Sequence, residues 1–133
     1  MQKRVLIIDD LDVVRKAMRT YICPRVSATD LVAQLIEKGT LNTKPKYEID
    51  EAAQGIEGVE MCRKALEEGR PYDVIFVDMM MPPGISGKDV IELVREFDKE
   101  VEIVVWTGLE QEAQNSLSVF PAGYYTTILD KSK

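Results

Sequence analysis

The sequence contains no histidine. That absence excludes Ser-His and Cys-His catalytic couples, and it excludes imidazole as general base, metal ligand or phosphoryl carrier. Any chemistry here falls to carboxylates, hydroxyls and lysines. Cysteine is scarce: Cys23 and Cys62 are the only two. That is too few for a disulfide framework, and both read as reduced, buried thiols of a cytosolic, hence cytoplasmic, protein. Basic residues are in the minority, 17 against 23 acidic for a formal charge of −6. This argues against direct nucleic-acid binding, which needs basic surface to neutralise phosphates. No apolar stretch approaches the roughly 18–20 residues of a membrane span. The opening residues lack signal-peptide anatomy, because Lys3 and Arg4 lead into four apolar residues and then Asp9.

What is present suits one globular domain over residues 1–133, with 45% hydrophobic and 30% charged residues. Three short apolar runs stand out: Val5-Leu6-Ile7-Ile8, Val74-Ile75-Phe76-Val77 and Ile103-Val104-Val105-Trp106. Each is continuous and rich in β-branched or aromatic residues, as strands buried on both faces of a parallel sheet are. Tyr47 to Asp50 alternates like a half-exposed edge strand, and Tyr124 to Leu129 reads as the last strand. Helical periods lie between them: Val13, Val14, Ala17, Met18, Tyr21; then Ile56, Val59, Cys62, Ala65, Leu66, stopped by Gly69 and Pro71; then Val90, Ile91, Val94, Phe97. The alternation predicts an α/β, doubly wound five-stranded parallel sheet with right-handed crossovers.

Residues 23–45 exceed an ordinary connection. Leu31, Val32, Leu35 and Ile36 repeat there at helical spacing, which predicts an inserted short helix. The sequence stops within four residues of the last strand, so no helix follows it here. The sheet face such a helix would cover is expected to be open, with Leu129 poorly covered, and residue 133 reads as a cut rather than a natural end.

The polar residues cluster at the carboxyl ends of the buried strands: Asp9-Asp10 after the first, Asp78 after the third, Thr107-Gly108 after the fourth, Asp130-Lys131 after the last. Open α/β sheets bind ligands outside those ends. Alone, each piece has a plainer reading, as a helix cap, a turn or a solvated lysine; their joint order is what points to a site. Crowded carboxylates repel unless their pKa values rise or a cation sits among them. An all-oxygen donor set selects Mg²⁺, or Mn²⁺, over zinc. Lysine and threonine would then serve the oxygens of a phosphoryl group.

The set Val-Leu-Ile-Ile-Asp9-Asp10, Val-Ile-Phe-Val-Asp78-Met-Met-Met-Pro82, Val-Val-Trp-Thr107-Gly108 and Lys131 resembles the receiver domain of bacterial two-component response regulators, of the CheY-like superfamily. The resemblance implies a flavodoxin-like sheet of order 2-1-3-4-5. It implies that Asp78 is the phosphoacceptor and that Asp9, Asp10, Asp78 and the Met80 carbonyl hold Mg²⁺. Thr107 becomes the switch hydroxyl, Gly108 offers its amide to a phosphoryl oxygen, and Lys131 pairs with Asp78 or its phosphoryl group. The implied partners are a sensor histidine kinase or phosphotransfer protein and a downstream effector. Self-phosphorylation and dephosphorylation would be the only catalysis, and homodimerisation through the open face is left open.

This sequence departs from the pattern in four places. Pro82-Pro83-Gly84-Ile85-Ser86-Gly87 is one residue longer than the usual turn. Ile128 replaces an aromatic switch residue. Ser132 follows Lys131 where proline is usual; a non-proline cis bond costs about 3 kcal/mol, so a trans bond, or a strained cis one, is expected. The last helix is missing. The double proline and long first crossover resemble receivers attached at the N-terminus of larger signalling proteins. Two other readings compete. Asp10-Leu11-Asp12-Val13-Val14 superficially fits the nucleophile motif of haloacid-dehalogenase-like Mg²⁺-dependent phosphatases, although Asp9 rather than Asp10 would sit at the strand end. A receiver-like interaction domain that is never phosphorylated is the other.

Overall fold

A computed structural model of the chain describes residues 2–22, 32–33, 35–37 and 47–131. Its elements are β1 (Lys3–Ile8), α1 (Asp12–Ile22), β2 (Tyr47–Ala52), α2 (Gly55–Glu67), β3 (Val74–Val77), α3 (Gly87–Arg95), β4 (Glu102–Thr107), α4 (Glu110–Leu117) and β5 (Thr127–Asp130). All strand pairs are parallel, in the order β2-β1-β3-β4-β5. The expected doubly wound sheet is the observed one. Residues 32–33 and 35–37 are helical, within the short helix expected in the long first crossover. Cys23 and Ser132, with the expectations attached to them, lie outside the described residues.

Alternation along the central strands sends side chains to two layers. Leu6, Ile8, Ile75, Val77, Ile103 and Val105 point to one face, where α2, α3 and α4 bury Val59, Cys62, Val90, Ile91, Val94, Ala113 and Leu117 against them. Val5 and Ile7 point to the other face, with Phe76 and Trp106 beside them and Met18 of α1 over them. Among the described helices α1 alone covers that second face. Of its apolar period, Val14 and Met18 pack inward, joined by Ile22, while Val13, Ala17 and Tyr21 are exposed. One helix lying on a sheet pins only its central row. Tyr21 rests its ring near Trp106, 6.2 Å between centroids, and Leu129 is exposed as expected.

The last strand starts later than the pattern suggested, at Thr127 rather than Tyr124. A turn takes the intervening residues: Tyr124 donates its amide to the Pro121 carbonyl, and Gly123 has φ +92°. The Arg95 guanidinium binds the Tyr124 carbonyl at 2.9 Å, tying this turn to α3. Tyr124 and Tyr125 then pack on the core as turn residues. Ile128 pairs with Val105 and packs on the α4 side.

The long turn after β3 is closed at its base, where Gly87 donates its amide to the Met79 carbonyl. Its Pro82–Pro83 bond is cis. Ser86 then starts α3 with a capping box: its hydroxyl accepts from the Asp89 amide, and the Asp89 carboxylate accepts from the Ser86 amide.

Candidate functional site

Register assembles the site. Ile8 lies opposite Val77, and Val77 opposite Val105. Asp9 and Asp78 therefore leave neighbouring strands at the same level, and Asp78 extends the ladder by donating its amide to the Ile8 carbonyl at 3.0 Å. At the other side Thr107 lies opposite Asp130. Lys131 is held one residue further by its amide, 2.9 Å from the Thr107 carbonyl.

Asp9, Asp10 and Asp78 each offer a carboxylate oxygen, and these atoms lie within 4.8 Å of one another. Asp9 and Asp78 are buried and Asp10 half-buried. The Lys131 ammonium enters between them, 2.9 Å from Asp9 Oδ2 and 3.3 Å from Asp78 Oδ2. The resemblance suggested Asp78 as the partner of this lysine; Asp9 is the nearer of the two. Burial pushes the Asp78 carboxyl above its ordinary value of 3.8; Lys131 opposes that rise, neighbouring Asp9 adds to it, and the Met80 amide opposes it. A compact, all-oxygen donor set that also strains its own charge fits a hard divalent cation such as Mg²⁺.

The remaining candidates line the same end of the sheet. Thr107 is buried, and its Oγ1 accepts from the Leu109 amide at 3.1 Å, so the hydroxyl shapes the turn into α4. Gly108 sits in that turn with open space where a side chain would project. Met80 follows Asp78 by two residues and is 58% exposed, while its neighbours Met79 and Met81 are buried. β1 ends at Ile8, so Asp9 is first past the strand end and Asp10 second; the dehalogenase-like alternative required Asp10 there.

Two contributors escaped the sequence reading. Arg15 of α1 donates from Nη1 to the Asp9 carbonyl at 2.7 Å. Gly87 packs on the backbone of Asp78 and Met79. Both act on backbone atoms, which leave no trace in residue type. A basic residue one turn into the helix after an acidic loop was the only available sign of the first.

Comparison with known proteins agrees with this architecture. The family model described as "Response regulator receiver domain" matches residues 26–132. That span leaves β1 and the Asp9-Asp10 pair outside the match. The chemotaxis protein CheY of Treponema pallidum (strain Nichols) is 32% identical over 98 residues, 71% of this chain and 65% of that protein. The chain thus matches about two thirds of that relative's length. Two solved structures share the fold. A CheY-like receiver domain protein from Methanospirillum hungatei JF-1 has a TM-score of 0.65 at 18% identity, covering 100% of this chain and 84% of its own. Vibrio cholerae chemotaxis protein CheY4 has a TM-score of 0.64 at 23% identity, covering 100% and 89%. Fold, register and family match lead to one conclusion: the chain belongs to the response regulator receiver domain family of the CheY-like superfamily, the phosphoacceptor modules of two-component signalling.

Proposed function

We propose that residues 1–133 form a single receiver domain in which Asp78 accepts a phosphoryl group from a phosphohistidine on a partner protein. Domains of this family are signalling modules rather than classical enzymes; they work with histidine kinases and effectors and bind Mg²⁺ at an acidic pocket. The observation that carries the proposal is the Asp78 carboxylate, buried at the end of β3 within the Asp9-Asp10 cluster and 3.3 Å from the Lys131 ammonium.

In the proposed step an Asp78 carboxylate oxygen attacks phosphorus in line. The new O–P bond forms as the P–N bond breaks, and the leaving imidazole takes up a proton. Asp9, Asp10, Asp78 and the Met80 carbonyl would hold Mg²⁺, which when bound supplies positive charge to phosphoryl oxygens. Lys131 would follow the phosphoryl group with its ammonium. The Gly108 amide and Thr107 hydroxyl would donate to the remaining oxygens. The Thr107 oxygen already accepts from the Leu109 amide, so donating its own proton to a phosphoryl oxygen would couple the phosphoryl group to the turn into α4. The α4–β5 face is where a two-state change would start, and Ile128 rather than an aromatic ring packs there.

No helix of the described residues is long and apolar enough to cross a membrane, which is compatible with a cytoplasmic setting. Incubation with Mg²⁺ and acetyl phosphate should add a single alkali-labile phosphoryl mass to the wild type and none to Asp78→Asn. The same mass gain on Asp78→Asn, or none on the wild type, would overturn the proposal.

A further inference from the structure

Arg15 touches neither Asp10 nor Asp78 through their carboxylates, yet it grips the turn that presents two of the three clustered acids. Its Nη1 donates to the Asp9 carbonyl at 2.7 Å, its Nε to Glu51 Oε1 at 3.1 Å, and its Nη2 lies 3.4 Å from Asp12 Oδ1. Glu51, on edge strand β2, is also bound by Arg19, 2.8 Å from its Oε2. The guanidinium is thus braced by β2 and aimed at one peptide group. That peptide joins Asp9 to Asp10.

The rest of the turn is pinned as well. The Asp9 amide donates to the Ala52 carbonyl at 3.1 Å, and Asp9 Oδ1 accepts from the Leu11 amide at 3.0 Å. The 8–9 peptide is held on β2 through the Asp9 amide, and the 9–10 peptide is held by Arg15 through the Asp9 carbonyl, so the two planar groups flanking the Asp9 Cα are both anchored. The direction in which Asp10 leaves the chain follows. A carboxylate that must stand within 4.8 Å of two others, against their repulsion, needs such support.

We infer that Arg15 is a positioning residue for the acidic pocket, orienting Asp10 for a divalent cation through the Asp9 carbonyl. The inference rests on the receiver reading above and extends it to a residue outside the pocket. Arg15 bears on cation affinity through geometry, since its charge is already paired with Glu51 and Asp12.

Calorimetric titration of the metal-free protein with Mg²⁺ and with Mn²⁺ tests it, using wild type, Arg15→Met, Arg15→Lys and Arg19→Met. Arg15→Met should weaken binding about 10-fold or more, the usual scale for losing support behind a metal ligand. Arg15→Lys, keeping one donor for the carbonyl, should recover part of that loss. Arg19→Met removes a grip on Glu51 from the same helix without touching Asp9, and should stay within about twofold of wild type. Melting temperatures in chelator should not follow this ranking. Arg15→Met binding like wild type would overturn the inference, and so would Arg19→Met weakening binding as much. If Arg15→Met fails to fold, Arg15→Lys decides: affinity equal to wild type at the shorter reach also counts against a geometric role. A wild type that binds neither ion overturns the pocket reading itself, and the inference with it.

Discussion

Gly87 packs its backbone directly on that of Asp78: a Cβ built at position 87 would lie 2.5 Å from the Asp78 carbonyl oxygen. The start of α3 and the end of β3 meet there with no room for a side chain. Gly87→Ala must push the helix start away from the acceptor, against the hydrogen bond from the Gly87 amide to the Met79 carbonyl. A cost of about 1–3 kcal/mol is expected for such overpacking, or roughly 3–10 °C in melting temperature at this chain length. Phosphorylation by acetyl phosphate should slow as well. Gly108→Ala is the contrast, because nothing lies within 4 Å of a Cβ there. Its melting temperature should match wild type, and equal losses in both variants would refute the packing argument.

Folding raises the Asp78 pKa above its ordinary value of 3.8, chiefly through burial. The folded state therefore holds that proton more tightly than the unfolded chain does. The contribution to stability is complete below the unfolded pKa and is lost as pH rises through the folded one. At pH 7, well above the unfolded value, this shift counts against the folded state. Asp78→Asn should accordingly melt higher than wild type at pH 7 without divalent ions, and the gap should close toward pH 4. Added Mg²⁺ should stabilise the wild type, as any ligand of the native state does. A mutant melting at or below wild type at pH 7 would reject this.

Lys131 contributes to both of these balances. Among the described residues it is the cation paired with the carboxylates of Asp9 and Asp78, at 2.9 Å and 3.3 Å. Lys131→Met leaves the two buried carboxylates facing each other, so the Asp78 pKa moves further upward. Relative to wild type, the variant should gain stability as pH falls from 7 to 5. Its phosphorylation rate at saturating Mg²⁺ should drop by about 10²-fold, the usual scale for losing one group that stabilises developing charge. Melting curves at two pH values and a stopped mass-spectrometric time course measure both. An unchanged rate would remove Lys131 from the proposed mechanism.

The parts that the sequence made legible share a physical cause. β1, β3 and β4 pack on both faces, so each carries an unbroken apolar run, rich in β-branched residues, that leads into a polar one. Once those runs are placed in register, Asp9, Asp78 and Thr107 fall at one end of the sheet without further information. β5 was harder, because Tyr124 and Tyr125 are as apolar as a strand yet sit in a turn held by Arg95. Along α1 the pattern shows which residues are apolar but not which of them meet the sheet: Val14 and Met18 pack on it, while Val13 and Tyr21 are exposed. Arg15 and Gly87 stayed hidden because each meets the site through backbone atoms. The nearer pairing of Lys131 with Asp9 depends on a fraction of an ångström, which no residue pattern encodes.

Cys62 packs in the core between α2 and the sheet, and burial pushes its thiol up to about 12. The thiolate is the reactive form, so the native protein should leave Cys62 unmodified. A Cys23→Ser variant, carrying Cys62 alone, should react with a disulfide reagent at neutral pH only as fast as it opens. Denaturant should accelerate labelling in step with unfolding. Rapid native-state labelling would place the thiol outside the core.

Met80 follows Asp78 by two residues and is 58% exposed. Loss of the phosphoryl group requires a water molecule to reach phosphorus in line, from the side opposite the Asp78 oxygen. An apolar side chain two residues from the acceptor would offer that water no hydrogen bond and, if turned over the site, would take up space along its approach. An asparagine of smaller volume would offer both a donor and an acceptor. Met80→Asn should therefore dephosphorylate several-fold faster than wild type. Its phosphorylation rate should stay close to wild type, because the backbone carbonyl proposed as a cation ligand is retained. Following the decay of the phosphorylated mass after the phosphodonor is removed measures the difference. Equal decay rates in the two proteins would show that the Met80 side chain does not control access of water.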